Sequence, residues 1–167
     1  MTRFLRTSFI LLIVLSINFS YGQSTYLDSL LAIATRSKVD SNSVIALTHL
    51  QRYYFERGLY DSTLKYAQLA LPITETLNDT KRQARITYNL GMTYTNLVRY
   101  DSAKKYLDAT QAYWPIIHDT VLQVSSYNAL AILSNYQSDY PQAVKYLLES
   151  AAIIDQSKTK SIQQLMP

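Results

Sequence analysis

Residues 60–66 read YDSTLKY, residues 100–106 read YDSAKKY and residues 140–146 read YPQAVKY. These stretches lie 40 residues apart, so the chain repeats itself at a fixed period. Seven of the 15 tyrosines recur at this spacing, and they are Tyr26, Tyr66, Tyr106, Tyr146, Tyr60, Tyr100 and Tyr140. A period of this length is typical of arrays in which neighbouring units stack and bury a shared core.

The segments between these markers have the period of an α-helix. Leu90, Gly91 and Tyr94 share one helical face with residue 87, and residues 40 positions earlier and later occupy the same places. The chain is 48% hydrophobic, with only three Gly and four Pro, which favours helices over a turn-rich β-protein. The sequence therefore predicts an all-α fold.

Each unit is predicted to contain two helices, which we call the A helix and the B helix in chain order. The predicted A helices lie near 42–57, 80–98 and 120–137, the B helices near 61–77, 101–117 and 141–157, and a leading B-type helix near 24–37. Aspartate is favoured at the start of a helix. The predicted start residues are Asp40, Asp79 and Asp119 for the A helices, and Asp61 and Asp101 for the first two B helices. The third B helix has Pro141 at this position, where proline is tolerated. The units are expected at 24–40, 41–79, 80–119 and 120–158, in a repeat domain of residues 23–158.

The first 22 residues have the pattern of a secretory signal peptide. Arg3 and Arg6 precede the apolar run FILLIVLSI (residues 9–17), and small residues lie before a cut at Gln23. An uncleaved anchor is the alternative, although the run is short for a membrane span of about 20 residues. We expect export to the periplasm or the extracellular space, with membrane contact only through this segment before cleavage.

The middle unit resembles the tetratricopeptide repeat (TPR), whose pattern is W-x2-L-G-x2-Y, A-x3-F and a final P. The residues that carry the resemblance are Leu90, Gly91, Tyr94, Ala103, Leu107 and Pro115 in the middle unit, and Leu130, Ala131, Ala143 and Leu147 in the third. The resemblance covers roughly residues 24–160, but this period is 40 residues and the usual TPR period is 34. On this reading Gly91 is a packing position against the B helix, and Gly91→Leu is expected to overpack that contact.

The resemblance implies a right-handed superhelical solenoid of antiparallel helix pairs, with about three full repeats and the leading helix. It also implies a concave groove, lined by the A helices, that holds a peptide or protein segment. The positions that it assigns to the groove are Ile45, Thr48, Arg52, Phe55, Glu56, Arg85, Tyr88, Met92, Thr95, Asn96, Ser125, Asn128, Ile132, Asn135 and Tyr136. A clamp for a peptide's C-terminal carboxylate is not predicted, because Ser125 and Ala129 lie where that clamp has basic residues.

Other kinds of site have little support in the sequence. The chain has no Cys, its two His lie in different units without motif partners, and its three Gly are isolated. We therefore predict no catalytic residue, no metal site and no cofactor. Removing residues 1–22 removes two Arg and takes the net charge from +4 to +2, which gives no argument for nucleic acid binding.

Three functions remain open from the sequence: an exported adaptor that binds peptide or protein segments, a truncated sensory ectodomain of a signalling protein, and, as the least supported, an enzyme. The last predicted helix is apolar nearly all round, as its segment AVKYLLESAAII (residues 143–154) shows, so we expect it to have neighbours on two sides. Residues 159–167 are expected to start a further repeat or to form a tail. Self-association through this open end is a further expectation.

Overall fold

The computed structural model of the chain describes residues 26–36 and 39–165. These residues form helices joined by turns, and none of them lies in a strand, which confirms the predicted all-α class. The helices are α1 (26–34), α2 (Ser41–Glu56), α3 (Tyr60–Thr76), α4 (Thr80–Asn96), α5 (Tyr100–Gln111), α6 (Trp114–Ile117), α7 (Thr120–Tyr136) and α8 (Tyr140–Leu165). The predicted signal peptide, residues 1–22, lies outside the described residues.

Consecutive helices pack as pairs, in the order that a helical repeat requires. α2 packs on α3, α4 on α5 and α7 on α8, while contacts of α3 with α4 and of α5 with α7 join one pair to the next. Three-residue turns connect the two helices of each pair, so these helices run antiparallel. α2, α4 and α7 are the predicted A helices, and α3, α5 and α8 are the predicted B helices.

Aspartate side chains cap the start of every A helix. Asp40, Asp79 and Asp119 each accept a hydrogen bond from the backbone N–H three residues later, at 2.8–3.0 Å. This confirms their predicted place, since such a cap satisfies a helix donor that has no partner within the helix. Asp61 and Asp101 instead lie in the first turn of α3 and α5, where their charge favours the helix dipole without a capping hydrogen bond.

A residue with a left-handed backbone occurs every 20 residues between 58 and 138, in the turns that follow α2, α3, α4, α6 and α7. These residues are Gly58, Asn78, Val98, His118 and Ser138, with φ between 49° and 69°. Glycine adopts this conformation without steric cost, whereas a β-branched side chain such as that of Val98 is strained by it. The helix ends therefore recur every 20 residues, which is half of the 40-residue period that the tyrosines mark.

The inner-face residues that carry the repeat pattern are packed as predicted in the middle unit. Leu90, Ala103 and Leu107 are at most 2% exposed. A Cβ atom built on Gly91 would come within 2.7 Å of the Leu107 side chain, so only glycine permits this approach of α4 to α5. Leu130, Ala131 and Ala143 are likewise buried in the third unit.

Two of the recurring tyrosines, Tyr66 and Tyr106, pack within their own units, whereas Tyr26 and Tyr140 are exposed. Tyr54 stacks on Tyr66 with ring centroids 5.2 Å apart, and one repeat later Tyr94 stacks on Tyr106 at 5.3 Å. Each stack joins an A helix to the B helix of its own unit. In the third unit Ser134 occupies the A-helix position, and Tyr146 contacts Tyr127 at 6.1 Å instead.

One predicted B helix is interrupted. The segment predicted as a helix over 101–117 ends as α5 at Gln111, and the single turn α6 begins at Trp114. Pro115 explains the break, because proline lacks an N–H and its ring clashes with the carbonyl four residues earlier. Pro115, predicted at the final position of the TPR pattern, is exposed in α6.

The end of the last predicted B helix is also different. α8 continues past the predicted end at residue 157 and runs to Leu165 without a turn, so the break expected near 158 is wrong. Leu147, expected on the inner face of this helix, is 51% exposed, because no further helix among the described residues covers that side of α8. Its counterpart one repeat earlier, Leu107, is buried against α7.

Candidate binding groove

The three A helices enclose a cavity of about 280 Å³, which we call the groove cavity. From α2 it is lined by Thr48, His49, Gln51, Arg52 and Phe55. From α4 and α7 it is lined by Arg85, Tyr88, Asn89, Val121, Leu122 and Ser125. The cavity therefore draws on one helix from each repeat unit.

Six of the positions assigned to the groove by the TPR resemblance line this cavity, and they are Thr48, Arg52, Phe55, Arg85, Tyr88 and Ser125. Ile45 instead lines a second depression, between α1 and the start of α2. Glu56 lies on the next turn of α2 after Arg52, with 4.0 Å between its Oε1 and the Arg52 Nε.

The remaining assigned positions lie away from the groove cavity. Met92 is half-buried against the core of the third unit, and Asn96 donates its Nδ2 to the Met92 carbonyl at 3.0 Å. Tyr136 is exposed and stacks on Tyr100, with ring centroids 6.3 Å apart. Three others, Asn128, Ile132 and Asn135, are exposed along α7.

One assigned groove position is wrong. Thr95 is 2% exposed, and its hydroxyl donates a hydrogen bond to the Gly91 carbonyl at 3.0 Å. It therefore faces the interior of its own unit, where this bond to the preceding turn satisfies its polar group. The wider 40-residue period shifts such positions away from where a shorter repeat would place them.

Two amide side chains form the floor of the groove cavity. Gln51 is fully buried, and its Oε1 accepts a hydrogen bond from Asn89 Nδ2 at 3.4 Å. Among the described residues, the Gln51 Nε2 has no hydrogen-bond partner. A buried donor without an acceptor is uncommon in folded proteins and calls for an explanation. One repeat on, the position of Gln51 is occupied by Gly91, whose missing side chain leaves no polar group there.

An ion pair between two units holds one side of the cavity. Arg85 Nη2 donates to Asp119 Oδ2 at 2.9 Å, and the same carboxylate caps α7 through the Leu122 N–H at 3.0 Å. Burial raises the pKa of Asp119, but the hydrogen bonds from Leu122 and Arg85 and the nearby positive charges outweigh it, so its pKa lies below the usual value. Asp119 is thus ionised at neutral pH and holds Arg85 in position.

The other side of the cavity combines a cation with aromatic surface. The Arg52 side chain is 66% exposed, so its weak contact with Glu56 leaves it able to reorient. Burial raises the pKa of the Tyr88 phenol, which is therefore uncharged at neutral pH. This side of the cavity therefore presents the positive charge of Arg52 next to the apolar ring of Tyr88.

The first helix is tied to the same region. Tyr26 Oη and His49 Nδ1 are 2.9 Å apart, a hydrogen bond that connects α1 to α2 beside the groove cavity. The sequence gives His49 no motif partner, and only the packing of the helices shows that it lines the cavity. His118, by contrast, ends α6 with a left-handed backbone.

The floor was missed for a similar reason. In the TPR register, Gln51 counts only as an imperfect replacement for glycine, and Asn89 lies between core positions. Their contact appears only when α2 and α4 pack together. One sequence feature could have indicated the floor: Gln51 is polar at the position where the other two units have the small residues Gly91 and Ala131.

Within residues 26–36 and 39–165, no group of three or more His, Cys, Asp or Glu is arranged to hold a metal ion. In the same part of the chain, no helix has the length and apolarity to cross a membrane. Comparison with models of known protein families and with curated protein sequences gives no match to this chain.

Proposed function

We propose that this chain is a helical-repeat binding module that holds an extended peptide or protein segment against α2, α4 and α7. The observation that carries the proposal is the groove cavity, which takes lining residues from all three A helices. Its register supports the same idea, because Thr48 and Tyr88 are 40 residues apart, as are Arg85 and Ser125. Repeat arrays present such equivalent positions along one continuous surface.

The chemistry of the lining suits a segment rather than a small apolar ligand. Phe55 and Tyr88 offer aromatic area, while Arg52 and Arg85 offer hydrogen-bond donors at the rim. Aromatic and arginine side chains contribute most strongly to binding in protein interfaces. A cavity of this size accepts one side chain of a partner, and the exposed polar residues of α7 extend the surface beyond it.

The proposal includes the wider assignment made from the sequence. The array is a TPR-like variant with a 40-residue period and a right-handed superhelix, and the protein acts after export in the cell envelope. The repeated A–B packing supports the first part, and the N-terminal sequence pattern supports the second. The partner is a peptide or protein segment, and binding involves no cofactor.

The test uses the purified full chain, immobilised, and a pool of random nonapeptides that are N-acetylated and C-amidated. Retained peptides are identified by mass spectrometry, and their affinities are measured by fluorescence anisotropy. The variant Ser125→Trp fills the groove cavity and is expected to weaken binding by about tenfold or more, which corresponds to about 1.4 kcal/mol. Lys105→Trp, on the exposed side of α5, is the matched control.

Two results contradict the proposal. The first is that no peptide is retained above the level of an unrelated helical protein. The second is that Ser125→Trp and Lys105→Trp bind the retained peptides equally well. Circular dichroism of both variants establishes that each is folded before binding is compared.

A further inference from the structure

We propose that the groove cavity binds the side-chain carboxylate of an aspartate or glutamate that lies within an extended peptide segment. This inference rests on the proposed function and specifies the chemistry of its ligand. It comes from three observations on the cavity: an unpaired donor at its floor, guanidinium groups at its rim, and the charge of its lining.

The floor lacks a hydrogen-bond acceptor. Gln51 is fully buried, its Oε1 is already used by Asn89, and its Nε2 donates to no residue in the part of the chain that the structure describes. A buried amide donor is destabilising when unpaired and strongly favours any acceptor that reaches it. Gln51 lines the groove cavity although its Nε2 is closed to solvent, so a ligand oxygen would supply this acceptor once the amide turned toward it.

The rim offers further donors that are already positioned. Arg85 uses Nη2 for Asp119, yet a guanidinium has five N–H donors in a fixed plane. The ion pair therefore orients Arg85 without exhausting it. Arg52, on the opposite helix, is exposed and close only to Glu56, so its guanidinium is able to turn toward a ligand.

The charge of the lining selects an anion among the possible acceptors. Of the described residues that line the cavity, two are arginines and none is Asp or Glu. Arg85 is already paired with Asp119, so the charge left for a ligand is that of Arg52, which is exposed and only weakly held by Glu56 at 4.0 Å. A backbone carbonyl would satisfy Gln51 without compensating this charge, whereas a carboxylate does both. Hydrogen bonds between ionised partners are shorter and roughly twice as strong as those between neutral groups.

The shape of the cavity favours a side chain over a small free acid. Phe55, Val121 and Leu122 form apolar walls that match the methylene groups of glutamate. The basic residues that would mark a clamp for a chain-terminal carboxylate are absent from α7, where Ser125 and Ala129 lie. We therefore assign the carboxylate to a residue within the segment.

The experiment compares three peptide pools on the full chain by anisotropy and by retention. The first pool is Ac-XXXXEXXXX-NH2, the second is Ac-XXXXQXXXX-NH2, and the third is Ac-XXXXXXXXQ with a free carboxylate. We expect the first pool to bind at least tenfold more tightly than the second, with an affinity that falls as salt increases. Glutarate at millimolar concentration is the small-acid arm.

Variants locate the effect on the floor and the rim. Gln51→Leu removes the floor donor, and Arg85→Gln removes a rim charge at an exposed position. Each is expected to reduce the preference for the glutamate pool to less than threefold. Lys105→Gln removes an exposed charge from α5 and is expected to keep the full preference. Because Arg85 is exposed, Arg85→Gln tests the inference even if Gln51→Leu does not fold. Circular dichroism confirms its fold before binding is compared, since the change removes the ion pair of the largely buried Asp119.

The outcomes separate this inference from the proposed function. Equal binding of the glutamate and glutamine pools, with both weakened by Ser125→Trp, overturns the carboxylate and leaves the peptide groove intact. Preference for the free-carboxylate pool overturns the assignment to a side chain within the segment, and competition by glutarate alone, without peptide binding, overturns the segment as the source. Failure of all pools to bind overturns the proposed function itself.

Discussion

Replacing Gly91 with alanine inserts one methyl group at the closest approach of α4 and α5. The new Cβ would lie 2.7 Å from both Cγ and Cδ2 of Leu107 and 3.2 Å from the Leu107 backbone nitrogen. Leu107 is fully buried, so its side chain has little room to move away. The substitution thus sets a local gain in helix preference against a steric cost between helices.

The two effects have known sizes. Alanine is favoured over glycine inside a helix by about 1 kcal/mol. Forcing an extra methyl group into a packed core typically costs about 1–3 kcal/mol. We therefore expect Gly91→Ala to change the free energy of unfolding by between about zero and 2 kcal/mol, in the destabilising direction.

A double-mutant cycle separates these effects. Leu107→Ala alone is expected to cost about 2–5 kcal/mol, because it removes a buried side chain. In that background both 2.7 Å side-chain contacts are gone and only the 3.2 Å contact with the backbone nitrogen remains, so Gly91→Ala should stabilise by up to about 1 kcal/mol. Urea unfolding followed by circular dichroism gives all four free energies, and the coupling between the two sites should be about 1–3 kcal/mol.

The matched control is Ala131, which occupies the same register position in α7 and is buried there. Ala131→Gly should destabilise by about 1 kcal/mol from helix preference, and by roughly 0.8 kcal/mol more because it removes a buried methyl group. Our reasoning is refuted if Gly91→Ala stabilises the wild-type chain by its full helix preference. It is also refuted if the coupling with Leu107 is below about 0.5 kcal/mol, the level expected of independent sites.

The other predictions concern turns, the open face of α8 and an ion pair. Val98→Gly should stabilise the fold by about 0.5–1 kcal/mol, because glycine relieves the strain of a β-branched residue with a left-handed backbone. Gly58→Val introduces the same strain and should destabilise the fold by about 1–2 kcal/mol. Thermal unfolding measures both changes, and equal effects would contradict the prediction. Leu147→Ala should lower the free energy of unfolding by less than about 0.5 kcal/mol, far less than Leu107→Ala, because Leu147 is exposed. A large loss of stability that depends on protein concentration would contradict this and would support the predicted self-association. Asp119→Asn keeps the cap but removes the charge, so it should reduce stability near pH 7. Folding lowers the pKa of Asp119, so the stability difference between wild type and Asp119→Asn is present above the unfolded pKa of about 3.9. It is lost as the pH falls through the lower folded pKa. A stability difference that persists at the most acidic pH would refute the assignment of this effect to the Asp119 charge.

The sequence predicted the features that depend on local preference and on the repeat itself. The 40-residue period located the helix pairs to within a few residues, with the exceptions of α5 and α8. The aspartates that cap the A helices were recognisable because a capping side chain acts within its own first turn. Gly91 was interpretable because its neighbour, Leu107, belongs to the same unit.

Local preference alone does not decide how a proline affects a helix. Pro72 lies inside the continuous helix α3, whereas α5 ends before Pro115. The sequence pattern treated both segments as whole helices. In the structure Trp114, beside the break, packs on Tyr127 of α7 with ring centroids 5.0 Å apart, a contact between units that no local pattern specifies.

The sequence by itself determined the all-α class and the helix order, because these follow from a period of 40 and a period of 3.6. Six of the residues that line the groove cavity were assigned by the resemblance to the TPR pattern. Only the tertiary structure decided that Gln51 meets Asn89 at the floor of the cavity and that Arg85 pairs with Asp119 at its rim. Those contacts join residues 34 to 38 positions apart on different helices. They depend on the distance and angle at which neighbouring units pack, which the pattern within one unit does not contain.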